Sequence, residues 1–231
     1  MSTKNFSALE GVLGVTFNDI NILRSALVHR SYLNENPGFE LQHNERLEFL
    51  GDAVLELVVT EYLYQNYPNP EGELTNWRAS LVNSNMLSKI AKDIDLEKYL
   101  YLSRGETKDA NSKARNYILA NAFEAVIGAI YLDQAMPAAQ RFITNTVLQE
   151  LPNILQNQLY VDPKSRFQEV AQEKMKVTPS YRVLKETGPD HAKKFQVGVY
   201  LNDELIATST GTSKQEAQVK AAERALKKQG W

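Results

Sequence analysis

Apolar residues recur at three- and four-residue spacing through the first two thirds of the chain, as in Leu47, Leu50, Val54, Leu57 and Val58. That is the period of a helix packed against a core. Residues 1–155 are therefore expected to be helical. Two polar segments divide them. NYPNPEG at 66–72 is rich in turn formers and marks a loop, and SRGETKDANSKARN at 103–116 is expected to be an exposed, solvated connector. Pro152 and Pro163 bracket a short linker or terminal helix, NILQNQLYVD. Beyond it a helical stretch over 165–176 precedes alternating segments at 180–186 and 194–201. In the second of these Phe195, Val197, Val199 and Leu201 share one face, as a half-buried strand requires. A third strand at 204–210 leads through Gly211 and Thr212 into an Ala-rich helix over 213–229. The expected architecture is an all-α domain over 1–155, a linker at 156–161, and a small α+β domain of order α-β-β-β-α over 162–231.

Within the helical part, HNERLEFLGDAVLELVVTEYL (43–63) breaks the usual division of a helix into apolar and polar faces. Glu45, Glu48, Asp52 and Glu56 fall within roughly an 80° arc at the helical period, while apolar residues take most of the remaining circumference. A helix apolar on most sides is buried, and carboxylates carried inward on it are costly unless cations meet them. The bland alternative is an ordinary exposed acidic face. A second segment with the same property weighs against that. YILANAFEAVIGAIYLD (117–133) is apolar nearly all round except at Asn121 and Glu124, with Gly128 between them on the wheel. Gly128 permits close approach of another backbone. Facing helices with inward carboxylates are one way to build a metal site. The ligands would all be oxygen, which selects Mg²⁺ or Mn²⁺ over Zn²⁺ and suits hydrolysis of a phosphodiester.

Charge changes the picture once it is divided along the chain. The net charge is −2, but residues 162–231 carry 13 Lys+Arg against 9 Asp+Glu, leaving a net acidic body over 1–161. An acidic body with a basic tail suggests separate tasks. There are no cysteines, so disulfides and thiolate metal sites are excluded. The opening MSTKNFSALEG lacks the pattern of a secretory leader, and no apolar run has the length of a membrane span, so the expected location is the cytoplasm without membrane association.

These residues also carry a resemblance. NERLEFLGDAV (44–54) resembles the signature of the ribonuclease III family, EGELT (71–75) with RASLVN (78–83) resembles its next block, and 118–133 resembles its second catalytic helix. The α-β-β-β-α tail resembles a double-stranded RNA-binding domain. The similarity spans roughly residues 6–228. It implies a Mg²⁺-dependent endonuclease, with Mn²⁺ able to substitute, that acts as a homodimer with one catalytic centre per subunit and processes structured RNA precursors such as ribosomal RNA. Carried over residue by residue, the metal positions fall on Glu48, Asp52, Asn121 and Glu124, with Asp52 and Glu124 catalytic. Glu45 and Glu71 match acids lining the cleavage valley. Phe49 matches a residue packed across the dimer interface, with core packing as its plainer alternative. Asn121 departs from the family pattern, where Asp is usual, and leaves the four-residue site with three negative charges. A natural active variant, a degenerate site and an engineered change are all compatible with it, and the intact signature favours the first.

In the tail, Ser165, Gln168 and Glu169 offer hydrogen-bonding groups suited to a minor groove. The loop around His191 resembles the family's second minor-groove element. Ser213 and Lys214, with Lys193 and Lys194, are placed for phosphate. Gln215 and Gln218 stand where similar domains often carry lysine, and Lys193, Lys194 and Lys220 are expected to compensate. Two functions of different class follow: a double-strand-specific endoribonuclease, or a protein that grips duplex RNA without cutting it.

Overall fold

In the computed structural model, which describes residues 4–108, 112–189 and 193–231, the chain forms two compact units divided between Tyr160 and Val161. The first unit is helical: α1 (Phe6–Leu13), α2 (Ile20–Ala26), α3 (Arg30–Glu35), α4 (Glu45–Asn66), α5 (Glu71–Val82), α6 (Ser84–Asp93), α7 (Arg104–Lys108), α8 (Lys113–Thr146) and α9 (Leu151–Gln156). Helix α8 runs through its centre, with Leu119, Phe123, Ile127 and Ile130 fully buried. Helix α4 packs along it, burying Val54, Leu55, Val58 and Val59. The two approach backbone to backbone at two glycines. A Cβ on Gly51 would collide with the Glu124 carbonyl, and one on Gly128 with the Leu47 carbonyl. These glycines set the separation of the helices that carry the acidic residues.

Local signals fix where the elements start. Asn44 is buried before α4, where its amide donates to the Ala26 carbonyl (3.3 Å) and its backbone N–H to the Val28 carbonyl (2.9 Å). Ser112 caps α8 by accepting from the Arg115 N–H at 3.0 Å. The span called α8 is two helices joined at a break, where Ala135 leaves the helical conformation (φ 61°, ψ −175°) just before Pro137. Asp133 stays helical and accepts from the N–H groups of Asn18 (2.8 Å) and Asp19 (3.0 Å), which ties α8 to the start of α2.

The polar segment 103–116 differs from the expected solvated connector. It contains α7, and Arg115 within it is 3% exposed, paired with Glu97 at 3.1 Å and donating to the Glu106 carbonyl at 2.8 Å. Polar composition conceals this, because a buried arginine is recognised only through its partners. After α9 the chain stays on the helical unit, where the Tyr160 ring meets Trp77 edge-on.

The second unit comprises α10 (Pro163–Met175), the strands β1 (Ser180–Thr187), β2 (Lys194–Leu201) and β3 (Glu204–Gly211), and α11 (Lys214–Gln229). The sheet is antiparallel in the order β1-β2-β3. Phe167 and Ala171 of α10, Val199 and Leu201 of β2, Ile206 of β3, and Ala221, Ala222, Ala225 and Leu226 of α11 form a core of its own. The alanines let α11 lie close to the sheet, and both helices bury their apolar stripe there.

Candidate active site and RNA-binding surface

The close approach of α4 and α8 brings Glu48 and Asp52 of one helix to Asn121 and Glu124 of the other. Burial pushes the Glu124 carboxyl up to about 8, and the nearby charges of Asp52, Glu48 and Glu56 push the same way. Glu48 is also raised, first by burial and then by Glu45, against a hydrogen bond from the Asn121 side chain, with Asp52 adding a further upward push. The Asn121 side chain is thus a polar neighbour that favours the charged form of Glu48. Among the described residues, no three His, Cys, Asp or Glu side chains already converge to hold one ion. The acids lie within reach of one another's charge, with Glu48 and Glu124 half-buried and Asp52 exposed, and like charges so placed hold each other apart.

Other predicted residues are arranged less tightly. Glu45 is turned toward Arg30 (3.2 Å) and His43 (3.7 Å). Glu71 opens α5 and accepts from the Thr75 hydroxyl at 3.0 Å, and it contributes to the shift of neither Glu48 nor Glu124. Phe49 is 80% exposed in the single chain, which overturns core packing as its role there. It borders a groove of about 830 Å³ whose walls include Ile22, Leu41, Leu47, Leu50 and Leu132.

One pair near the site escapes sequence reasoning. Arg78 of α5 reaches α4, with Nε 3.0 Å from Glu56 and Nη1 donating to the Thr60 hydroxyl at 2.9 Å. Glu56 is the last acid of the stripe, so this pair holds α5 against the acidic face. Its only sequence signal is the stripe itself, in which Glu56 is the one acid to which the family resemblance gives no role.

On the second unit, Ser165, Gln168 and Glu169 are exposed on one face of α10, and the Ser165 N–H is capped by Asp162. Ser213 caps α11 by accepting from the Glu216 N–H at 3.1 Å, while the Glu216 carboxylate accepts from the Thr212 N–H at 2.7 Å. Lys214 is exposed in the first turn, Lys194 is exposed at the start of β2, and Lys193 is half-buried just before it. His191 lies outside the described residues. Lys220 is paired with Glu216 at 2.6 Å. A cation that sequence reasoning missed sits beside Gln218: Lys164 of α10 donates to the Gln218 side-chain oxygen at 2.7 Å and lies over the Tyr181 ring. The sequence places Lys164 next to Ser165 but gives no sign that α10 and α11 meet there.

An acidic cluster on two packed helices, followed by an α-β-β-β-α unit with its own core, defines a two-part protein of the nuclease-plus-RNA-binding class. Comparison with known proteins makes this specific. Residues 19–151 match the Ribonuclease-III-like family model, and residues 163–229 match the double-stranded RNA binding motif. Ribonuclease 3 of Carboxydothermus hydrogenoformans is 46% identical over 98% of this chain and 96% of its own length. Ribonuclease 3 of Enterococcus faecalis is 44% identical over 93% of each. The solved nuclease domain of ribonuclease III from Campylobacter jejuni superposes with a TM-score of 0.58 at 38% identity, covering 64% of this chain and 99% of that one. This chain belongs to the ribonuclease III family, the double-strand-specific endoribonucleases.

Among the described residues, no helix is long and apolar enough to cross a membrane.

Proposed function

We propose that this chain is a homodimeric, Mg²⁺-dependent endoribonuclease of the cytoplasm that hydrolyses phosphodiesters in structured RNA precursors, ribosomal RNA among them. Residues 1–155 are its nuclease domain, 156–161 a linker and 162–231 its RNA-binding domain. The observation that carries this reading is the gathering of Glu48, Asp52 and Glu124 on two helices held together by Gly51 and Gly128. Their donor set fits a hard divalent cation: every ligand atom is oxygen, and the raised Glu124 carboxyl marks a place where positive charge is favoured. Glu48, Asp52 and Glu124 would hold the ion, Asn121 would offer its amide oxygen, and Mn²⁺ can take the place of Mg²⁺. When bound, such a cation activates water and stabilises the leaving oxygen. Asp52 and Glu124 orient the reacting groups, and Glu45 and Glu71 line the path of the strand.

The exposed Phe49 beside an apolar groove supports a two-fold partner, since a large apolar side chain at a groove mouth on a water-facing helix is unfavourable. The Campylobacter jejuni nuclease domain is itself described as flexible in a region involved in dimer formation. On the second unit, Ser165, Gln168, Glu169 and His191 would serve as minor-groove contacts, and Lys193, Lys194, Ser213 and Lys214 as phosphate contacts.

The second reading, grip without cutting, draws on Asn121, which adds no charge to the site where the family usually has Asp. Labelled duplex RNA incubated with Mg²⁺ and with excess chelator separates the two. Cutting that needs Mg²⁺ supports the enzyme. Robust cutting in chelator removes the metal centre, and binding with no cutting at any Mg²⁺ level establishes the second reading.

A further inference from the structure

We propose that Glu186 is a positioning residue that sets the affinity of the C-terminal unit for duplex RNA, by holding Lys193 and Lys214 on its carboxylate until phosphates displace it. This rests on the reading of that unit's basic face as its RNA contact. Glu186 lies near the end of β1, in register with Phe195 of β2. Its Oε1 is 3.3 Å from the Lys214 ammonium and its Oε2 is 3.8 Å from that of Lys193. The Lys214 ammonium also lies over the Phe195 ring, 5.6 Å from its centre. One acid thus bridges the end of the β1–β2 connection and the first turn of α11.

These pairs are not a staple for the fold. Glu186 and Lys193 are each 39% exposed and Lys214 is 58% exposed, and ion pairs in such water-accessible positions contribute little to stability. The start of α11 is already held by Ser213 and Glu216, and β1 by its ladder to β2. What Glu186 does change is the charge offered to RNA: with it, the three side chains present one net positive charge instead of two. A phosphate arriving at Lys214 must displace a carboxylate that stays nearby and repels it. Lys220 shows the other outcome, since its acid, Glu216, is fixed as the helix cap by Thr212. Among the described residues Glu186 has no such second bond, which lets it yield.

The test uses the full chain in chelator, so that RNA is bound and not cut, with a labelled duplex of about 20 base pairs, long enough for one domain's footprint. Wild type, Glu186→Gln, Lys214→Gln and the double variant are titrated by fluorescence anisotropy across a range of salt. Glu186→Gln should bind about three- to tenfold tighter at low salt and steepen the salt slope by about one. Adding Lys214→Gln should remove most of that gain. Equal or weaker binding by Glu186→Gln, while Lys214→Gln weakens wild type, overturns the proposal and leaves the RNA-contact reading standing. If Lys214→Gln does not weaken wild type, that reading fails and the proposal with it.

Discussion

Glu124 is an acid that folding pushes toward its neutral form, from an ordinary value of 4.5 to about 8. Between those values the folded chain binds a proton that the unfolded chain has released. Stability in chelator should therefore fall as pH rises through that window. Thermal unfolding at pH 6 and pH 9 in chelator tests this, and Glu124→Gln should flatten the difference. A wild type whose melting temperature does not fall with pH, or a variant that falls as steeply, contradicts it. Mg²⁺ and the proton compete for the same carboxylate, so the Mg²⁺ needed for cleavage should fall as pH rises. The glycines make a second prediction. Gly51→Ala puts a methyl group into the Glu124 carbonyl and should cost about 1–3 kcal/mol or more, lowering the melting temperature by about 2–4 °C per kcal/mol. An unchanged melting temperature would mean the helices can part without loss. At this scale Glu48, Asp52 and Glu124 were legible because helical period and acid type coincide. The Arg78–Glu56 pair was not, since it depends on how helices α4 and α5 are aligned.

Among the elements, the strands were the most readable. Alternation set β2, and the turn formers Asn202 and Asp203 separate it from β3, Asn202 taking a left-handed conformation. The end of the α8 segment carrying Asn121 and Glu124 was read to within two residues, since the helix breaks at Ala135; its start at Lys113 was read late because the first turn is polar. Helix α7 was missed because its residues are polar and its anchor, Arg115, is buried by tertiary contacts. The separate core of the second unit carries a prediction at this scale. Residues 162–231 made alone should fold and bind duplex RNA with little sequence preference, weakening as salt rises because phosphate contacts release counterions. Equal affinity for single-stranded RNA would count against it. Ser213→Ala should destabilise this fragment by about 1 kcal/mol through loss of the α11 cap.

For the whole molecule, the acidic body and basic tail divide the labour of cutting and gripping, and the exposed face of α4 points to assembly. Phe49, Leu57 and Tyr64 are 80%, 56% and 79% exposed on one helix, more apolar surface than a lone chain leaves in water without a reason. Phe49→Glu should shift light-scattering mass from dimer toward monomer at micromolar concentration and reduce cleavage, while the second unit still binds RNA. A wild type that is monomeric under those conditions removes the dimer. The metal centre is tested most directly by one titration: cleavage rate of duplex RNA against Mg²⁺ for wild type, Asn121→Asp and Glu124→Gln. Asn121→Asp adds a fourth carboxylate beside Glu48, Asp52 and Glu124, so half-maximal cleavage should move to lower Mg²⁺. Glu124→Gln should bind RNA and cut none at any concentration. Cleavage by Glu124→Gln at the wild-type rate, with the same Mg²⁺ requirement in all three proteins, would contradict a metal centre at these residues.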